Sequence, residues 1–482
     1  MSQGRVTLPK KGLGKKKILE TMQSFRAEDP NYKDGETWSL VYYLGEEHTK
    51  FLQQAHSLYF SENGLNPMAF RSLKRFETEV VQMTAAMLHG DEQTVGTMTS
   101  GGTESCLLAV KTYRDMARDQ RLLLGTPEMI VPETIHVAFE KAAEYFGVKA
   151  VHAPVGKDFR VNVKAVKKLI NRNTILLVGS APAYPHGVVD PIEELGRLAL
   201  KKKLPLHVDS CLGGFLLPWV EKLGYNVPPF DFRVPGVTSI TADVHKYGFS
   251  AKGASTILYR SIDILKYQLF VYENWPGGIF ASPALLGTRP GGSIAAAWAA
   301  MTALGEDGYL KIAKEIMETT QRLQSGVNAI PGLRVLGDPH ASVFAYGSTE
   351  REVNIFAVAD QMEKCSWHID RLQRPDALHA MVTPAHSAAV DRYLDDLREA
   401  VAVVRAHPEL ARQGGAATYG MISAVPLRGM IKKNVLKMMM DFYGPAGAAP
   451  PLDNPEDADD LGTKLGLLFL EWKDKLTKRF GN

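Results

Sequence analysis

The chain has 482 residues, 45% of them hydrophobic and 23% charged, with a formal net charge of +3. That length predicts two or three domains of ordinary soluble composition. So small a net charge, with no aromatic-plus-basic repeat, argues against a nucleic-acid partner, and no apolar run reaches the length of a membrane span.

Residues 1–60 read as an N-terminal arm. Arg5, Lys10, Lys11, Lys15, Lys16 and Lys17 make it basic, without the apolar core of a signal peptide. A solvated tail is the first reading, and weak contact with an anionic membrane surface the second. One helix is expected over 14–27 and another within 47–65, on either side of the aromatic cluster Trp38, Tyr42 and Tyr43. From Phe70 to Leu88 apolar residues recur at helical spacing, predicting a long helix that ends near Gly90.

T-M-T-S-G-G-T-E-S, residues 97–105, reads as a loop leading into a helix over 106–117. Small residues ahead of a helix N-terminus expose backbone N–H groups that can hold a phosphate, although a plain cap would use the same residues. The Gly-Lys-Ser/Thr ending of a Walker loop is missing. Strands and helices then alternate. Strands are expected at 128–131, 150–153, 175–179, 206–208, 237–242 and 254–259, with helices at 137–146, 163–170 and 192–201. This rhythm predicts an α/β fold with a large, mainly parallel sheet over residues 61–308 and ligands beyond the strand carboxyl ends.

A Gly/Pro-rich loop at 277–292 and helices at 293–304 and 309–325 follow. The pattern then shifts to shorter elements: strands at 333–336, 343–346, 353–358 and 380–382, and helices at 359–365 and 388–406. Residues 309–482 therefore read as a smaller C-terminal α+β domain, ending in Tyr419-Gly420, a Met-rich helix and a Pro/Ala/Asp-rich segment at 444–460. Cys106, Cys211 and Cys365 are widely spaced, so neither a metal site nor a disulfide framework follows, and a reducing compartment fits.

His136, Tyr184, Asp209 and Lys246 each fall just after an expected strand, which places them at one end of the sheet. Singly, each has a plain explanation: a solvated loop lysine, a helix-capping aspartate, a packed histidine. Together they fit pyridoxal 5′-phosphate, whose aldehyde needs a lysine, whose phosphate needs an N–H-rich turn and whose ring nitrogen needs a carboxylate. Lys246, Gly101-Gly102-Thr103 and Asp209 supply these in turn. An apolar site is expected to lower the pKa of Lys246 and make it nucleophilic.

T-S-G-G-T-E-S, H-V-D-S-C-L-G-G-F, D-V-H-K-Y-G-F-S-A-K-G-A-S and G-G-I-F-A-S-P-A-L-L-G-T-R-P-G-G resemble the signature stretches of sphingosine-1-phosphate lyases. These belong to the fold-type-I, group II decarboxylase-like enzymes that use pyridoxal phosphate. The resemblance spans roughly residues 35 to 430; its last two motifs are the more specific, because decarboxylases usually follow His-Lys with Trp. It implies that Lys246 forms the Schiff base, His136 stacks on the ring and Asp209, near Cys211, pairs with its nitrogen. It places Gly102, Thr103 and His245 at the phosphate, with Gly287 and Thr288 reaching it from the other subunit of a homodimer. Tyr184 and Lys252 match catalytic positions, and Tyr42 and Tyr419 substrate-side tyrosines. Asn66 stands in G-L-N-P where the family commonly has histidine, so it can donate to a substrate phosphate but brings no charge. The implied activity is retro-aldol cleavage of sphingoid base 1-phosphates by a soluble, cytoplasmic, bacterial-type enzyme, and nothing in the sequence bears on export. An amino-acid decarboxylase is the alternative on the same fold, and a non-catalytic phospholipid-binding scaffold the alternative from another class.

Overall fold

The apolar run T-I-L-L-V-G-S, Thr174–Ser180, is buried along its whole length and lies in the middle of the main sheet. A strand covered on both faces has no polar side to alternate with, hence the unbroken apolar pattern. The structure is a computed structural model that describes residues 7–27, 29–120, 125–424 and 428–444. Of the expected 444–460 segment, all but Gly444 lies outside these residues.

The N-terminal arm holds α1 (Lys15–Arg26) and α2 (Glu46–Leu58), and α3 (Arg71–Met87) opens the large domain. The large domain continues with β1 (Val95–Thr99), α4 (Gly102–Gln120), β2 (Glu128–Pro132), α5 (Ala138–Phe146) and β3 (Lys149–Ala153). It runs on through α6 (Val163–Leu169), β4 (Thr174–Ser180), α7 (Ile192–Lys202), β5 (Leu206–Asp209) and α8 (Leu217–Lys222). Strands β6 (Val237–Ala242) and β7 (Ser255–Tyr259) complete the sheet, in the order β1-β7-β6-β5-β4-β2-β3. Only β7 opposes its neighbours, pairing antiparallel with both β1 and β6. The other ladders, from β6 to β3, are parallel.

The helices cover this sheet for the reason their sequences give. In α3, Leu73, Glu77, Val80, Val81 and Thr84 form one buried stripe at three- and four-residue spacing. In α7, Ile192, Leu195, Leu198 and Ala199 are buried, while Glu193 and Glu194 open the helix and Lys201 and Lys202 close it, matching its dipole. By contrast α1 buries none of its residues, and Ile18, Leu19, Met22 and Phe25 are exposed beside its lysines.

After α9 (Ile262–Leu265) comes an exposed hairpin, β8 (Phe270–Trp275) and β9 (Gly278–Ser282), the second strand falling in the stretch read as loop, 277–292. The two helices expected at 293–304 and 309–325 are both present, as the two segments of α10 (Gly291–Asn328), separated by a kink where Gly305 leaves the helical conformation at φ 56° and ψ −174°. The smaller sheet, ordered β10-β11-β13-β12, comprises β10 (Leu333–Leu336), β11 (Val343–Ser348), β12 (Asp370–Leu372) and β13 (Ala377–Met381). Against it pack α11 (Ile355–Lys364) and α12 (Val390–Ala406); α13 (Gly414–Ala424) and α14 (Arg428–Tyr443) follow. The strand expected at 353–358 is thus corrected to a helix. Its β-branched, all-apolar start carries no clear period, and the Asn354 side chain decides the outcome by accepting from the N–H groups of Phe356 and Ala357. Among the described residues no helix is long and apolar enough to cross a membrane.

Candidate active site

Beyond the carboxyl ends of β2, β4, β5 and β6 lies a cavity of about 430 Å³. Gly101, Gly102, Thr103, His136, Tyr184, Asp209, Cys211, His245 and Lys246 all line it. Their common position follows from the topology, since parallel strands end at the same edge and hand their next residues to one crevice.

One wall is the start of α4. The amides of Gly102 and Thr103 sit in its first turn, where no intrahelical carbonyl is available to them. Glu104, buried behind them, accepts from the Ser100 amide at 2.7 Å and the Ser100 hydroxyl at 2.6 Å, closing the turn. Its other oxygen accepts from the Leu285 amide at 2.7 Å and so ties the turn to the 283–288 segment. Glycine is required at 102: a Cβ there would lie 2.6 Å from Asp243 Oδ2 and 2.9 Å from Cys211 Sγ. Beside this wall, the Ala254 amide donates to His245 Nδ1 at 3.3 Å, which leaves Nε2 as the protonated nitrogen. Burial pulls His245 below the ordinary histidine range despite Asp243 nearby, so the ring is neutral.

At the floor, Lys246 Nζ lies 3.0 Å from Asp243 Oδ2. Here the expectation of a lowered lysine pKa is corrected. Burial does pull Lys246 down, but the Asp243 carboxylate outweighs it and holds the ammonium form well above the usual range. Asp243, itself buried, is kept below the ordinary carboxylate range because Lys246 and His245 overcome its desolvation. Asp209 ends β5, and its Oδ1 accepts from the Cys211 amide at 3.1 Å. Cys211 Sγ lies 3.9 Å from Cys106 Sγ. The contact and burial together raise the Cys211 thiol; the same contact lowers Cys106, but burial and the nearby Asp209 and Asp243 outweigh it, so both thiols lie above the usual range, protonated and inert.

His136 and Tyr184 form the opposite wall, ring edge to ring face with centroids 6.4 Å apart. Tyr42 and Lys252 stand just behind the lining. Lys252 Nζ donates to the Leu40 carbonyl at 2.8 Å and lies 5.0 Å from the centre of the Tyr42 ring, a cation–π contact. Desolvation, with repulsion from Lys246, lowers the Lys252 pKa.

The remaining candidates are not brought to this cavity within one chain. Tyr419 packs on Phe356 and under Arg371. Asn66 spends its side-chain oxygen on the amides of Met68 and Ala69, at 2.9 and 3.3 Å. Its loop meets the 287–290 segment, where Gly64 N donates to Arg289 O at 2.8 Å and Asn63 bridges Pro290. Asn66 and the Gly287-Thr288 segment therefore lie in neighbouring loops, and none of the three lines the cavity. Sequence reasoning missed the structural weight of Asp243, though D-V-H-K holds it three residues ahead of the lysine. Glu104 was equally in view, in the position of an ordinary first-turn acid.

An amine, a carboxylate and an amide-lined helix start facing one cavity are the donor set pyridoxal phosphate requires, and the glycine at 102 keeps the cradle open. The residues present fit it. The family model described as the pyridoxal-dependent decarboxylase conserved domain matches residues 69–346. The sphingosine-1-phosphate lyase of Arabidopsis thaliana is 48% identical over 444 residues, covering 90% of this chain and 81% of that protein. Sphingosine-1-phosphate lyase 1 of Rattus norvegicus is 43% identical over 428 residues, covering 88% and 75%. Among solved structures, a Burkholderia pseudomallei sphingosine-1-phosphate lyase matches with a TM-score of 0.82 and 38% identity, over 91% of this chain and 97% of that one. A Lactobacillus brevis glutamate decarboxylase, at 20% identity and a TM-score of 0.74, shares the fold. The chain belongs to the sphingosine-1-phosphate lyases, within the pyridoxal-dependent decarboxylase family, and its cofactor is pyridoxal 5′-phosphate.

Proposed function

We propose that this chain cleaves the C2–C3 bond of sphingoid base 1-phosphates, releasing a fatty aldehyde and phosphoethanolamine. The observation that carries the reading is the convergence of Lys246, Asp209, His136 and the 101–103 turn on one cavity of a chain of this family. When bound, pyridoxal phosphate supplies an electron-poor ring able to take up the electron pair of the broken bond. Lys246 is the residue that holds its aldehyde carbon. Asp209 keeps the ring nitrogen protonated, His136 covers one ring face, and the amides of Gly102 and Thr103 with His245 hold the phosphate. Before Nζ can act as a nucleophile it must lose the proton that Asp243, 3.0 Å away, stabilises on it.

The substrate side is built by a second copy of the chain. The β8–β9 hairpin exposes Phe270, Val271, Tyr272, Trp275 and Ile279, and Leu285 and Leu286 follow, an apolar surface of the kind another subunit covers. Gly287 and Thr288 come next and complete the partner's phosphate site, with Asn66 beside them and Tyr42 and Tyr419 toward the substrate. Sedimentation of the cofactor-loaded protein is expected to give twice the chain mass; a monomer that is fully active would overturn the shared site.

Lys252 braces the Tyr42 ring. Lys252→Ala is expected to keep the absorbance of bound cofactor and lose most cleavage, and normal turnover would reduce its role to packing. The function itself is tested by incubating the yellow protein with dihydrosphingosine 1-phosphate and assaying both products. Equal amounts of aldehyde and phosphoethanolamine are expected. Carbon dioxide from an amino acid, with neither of those products, would establish a decarboxylase instead.

A further inference from the structure

Asp370 of β12 and His379 of β13 are directly opposed in their antiparallel ladder, so their side chains leave the small sheet on the same face. Tyr184, in the loop after β4, rests against both. Its hydroxyl donates to Asp370 Oδ2 at 2.9 Å, and its ring stacks on His379 with centroids 4.2 Å apart and planes 27° apart. The loop is held there by close approach to the small domain. Gly187 has φ 69°, and a Cβ on it would fall 1.7 Å from the Val343 carbonyl oxygen of β11. The Gly187 carbonyl accepts from the His340 amide at 3.0 Å. His379 is buried, which pulls it down to about 4, so the ring beneath Tyr184 is neutral and does not compete for a proton.

A phenol has one proton to donate. With that proton committed to Asp370, Tyr184 presents only lone pairs to the cavity it lines, and can only accept there. Burial and the neighbouring Asp370 push the phenol well above its ordinary range, so a standing tyrosinate is not the base. Handing its proton on as it receives another keeps the ring neutral throughout. Asp370 is exposed and can release that proton to water. Lys252, the other candidate base, does not line the cavity, and its ammonium already donates to Leu40.

We propose that Tyr184 and Asp370 form a proton relay for the cleavage step, with Tyr184 as the base and Asp370 as the positioning residue that accepts its proton. The inference rests on the lyase reading above. In balance, the substrate's C3 O–H bond breaks and its proton goes to Tyr184 Oη. The proton already on Tyr184 passes to Asp370 Oδ2. The electron pair left on the substrate oxygen forms the aldehyde carbonyl as C2–C3 breaks, and the pair of that bond stays with C2.

The test uses cofactor-loaded Asp370→Asn and Asp370→Ala with dihydrosphingosine 1-phosphate. Asn retains an acceptor for the Tyr184 hydroxyl but cannot take its proton. Its kcat is expected to fall about 100-fold with KM and cofactor absorbance unchanged. In the Ala variant, acetate added to the solvent is expected to restore part of the lost kcat, because position 370 is open to water. Asp370→Asn turning over at the wild-type rate, or an Ala variant that acetate does not help, would overturn the relay and leave the lyase reading in place. Wild-type protein that releases neither product would overturn that reading and the relay with it.

Discussion

Lys246→Ala is expected to take aldehyde formation below detection. Among the described residues, Lys246 is the only lysine lining the cavity, so no described neighbour can hold the cofactor's carbonyl carbon in its place. The same change strips buried Asp243 of the cation 3.0 Å away, and a buried carboxylate left without its partner destabilises a fold by several kcal/mol. Lys246→Arg separates the two effects. It keeps a positive charge for Asp243 but forms no Schiff base, so it should be stable and equally inactive. Cleavage that survives in either variant would remove Lys246 from the chemistry. Borohydride reduction followed by peptide mapping gives an independent check, since the cofactor should be trapped on this residue alone.

The second large effect lies outside the cavity. Arg289 directs both terminal nitrogens at the Glu77 carboxylate, with Nη2 to Oε2 at 3.2 Å, and both side chains are buried. The guanidinium also donates to the Gly64 carbonyl at 2.9 Å and the Met98 carbonyl at 3.3 Å. This one residue therefore pins the 283–290 segment to α3, to β1 and to the loop carrying Asn66. Removing Glu77 leaves a buried, uncompensated cation, for which a loss of about 3–5 kcal/mol is the usual scale. Glu77→Ala is expected to lower the urea midpoint accordingly and, through Thr288 next to Arg289, to weaken cofactor retention. The double variant Glu77→Leu/Arg289→Met should recover much of the stability but not the retention. A loss in the single variant below about 1 kcal/mol, the scale of an exposed pair, would show that the bridge does not hold the segment.

Much of this arrangement could be read from the sequence, and the exceptions share a cause. Strand β4 is an apolar run, β6 alternates, and β2, β3 and β5 are short strand-like stretches between helical patterns, so local chemistry suffices to find them. β1 offers no such signal: V-G-T-M-T carries weak strand character and owes its order to pairing with β7, more than 150 residues away. The β8–β9 hairpin lacks the inward face that would mark it, because both strands are largely exposed in the single chain. The site divides in the same way. The 101–103 turn follows β1, which the sequence reads as loop, whereas Lys246, Asp209 and His136 each follow an expected strand, so the fold rule alone gathers them. Asp370 does not; its link to Tyr184 spans 186 positions and exists only because the small domain docks where it does. The lysine's charge state failed for a similar reason. Burial can be guessed from an apolar context, whereas the geometry of the Asp243 partner cannot.

The long helix α10 has a consequence for how the molecule comes apart. Its first half, with Ile294, Ala297 and Met301, belongs to the core of the large sheet, and so do Ile312 and Ile316 beyond the bend. Leu323 and Val327, two turns further on, belong to the core of the small sheet. The segment of α10 after the kink therefore belongs to both cores, and melting one hydrophobic centre withdraws packing from the other. Heat denaturation is expected to proceed as one cooperative transition, without a surviving half, and a fragment cut at 308 should fail to hold its structure.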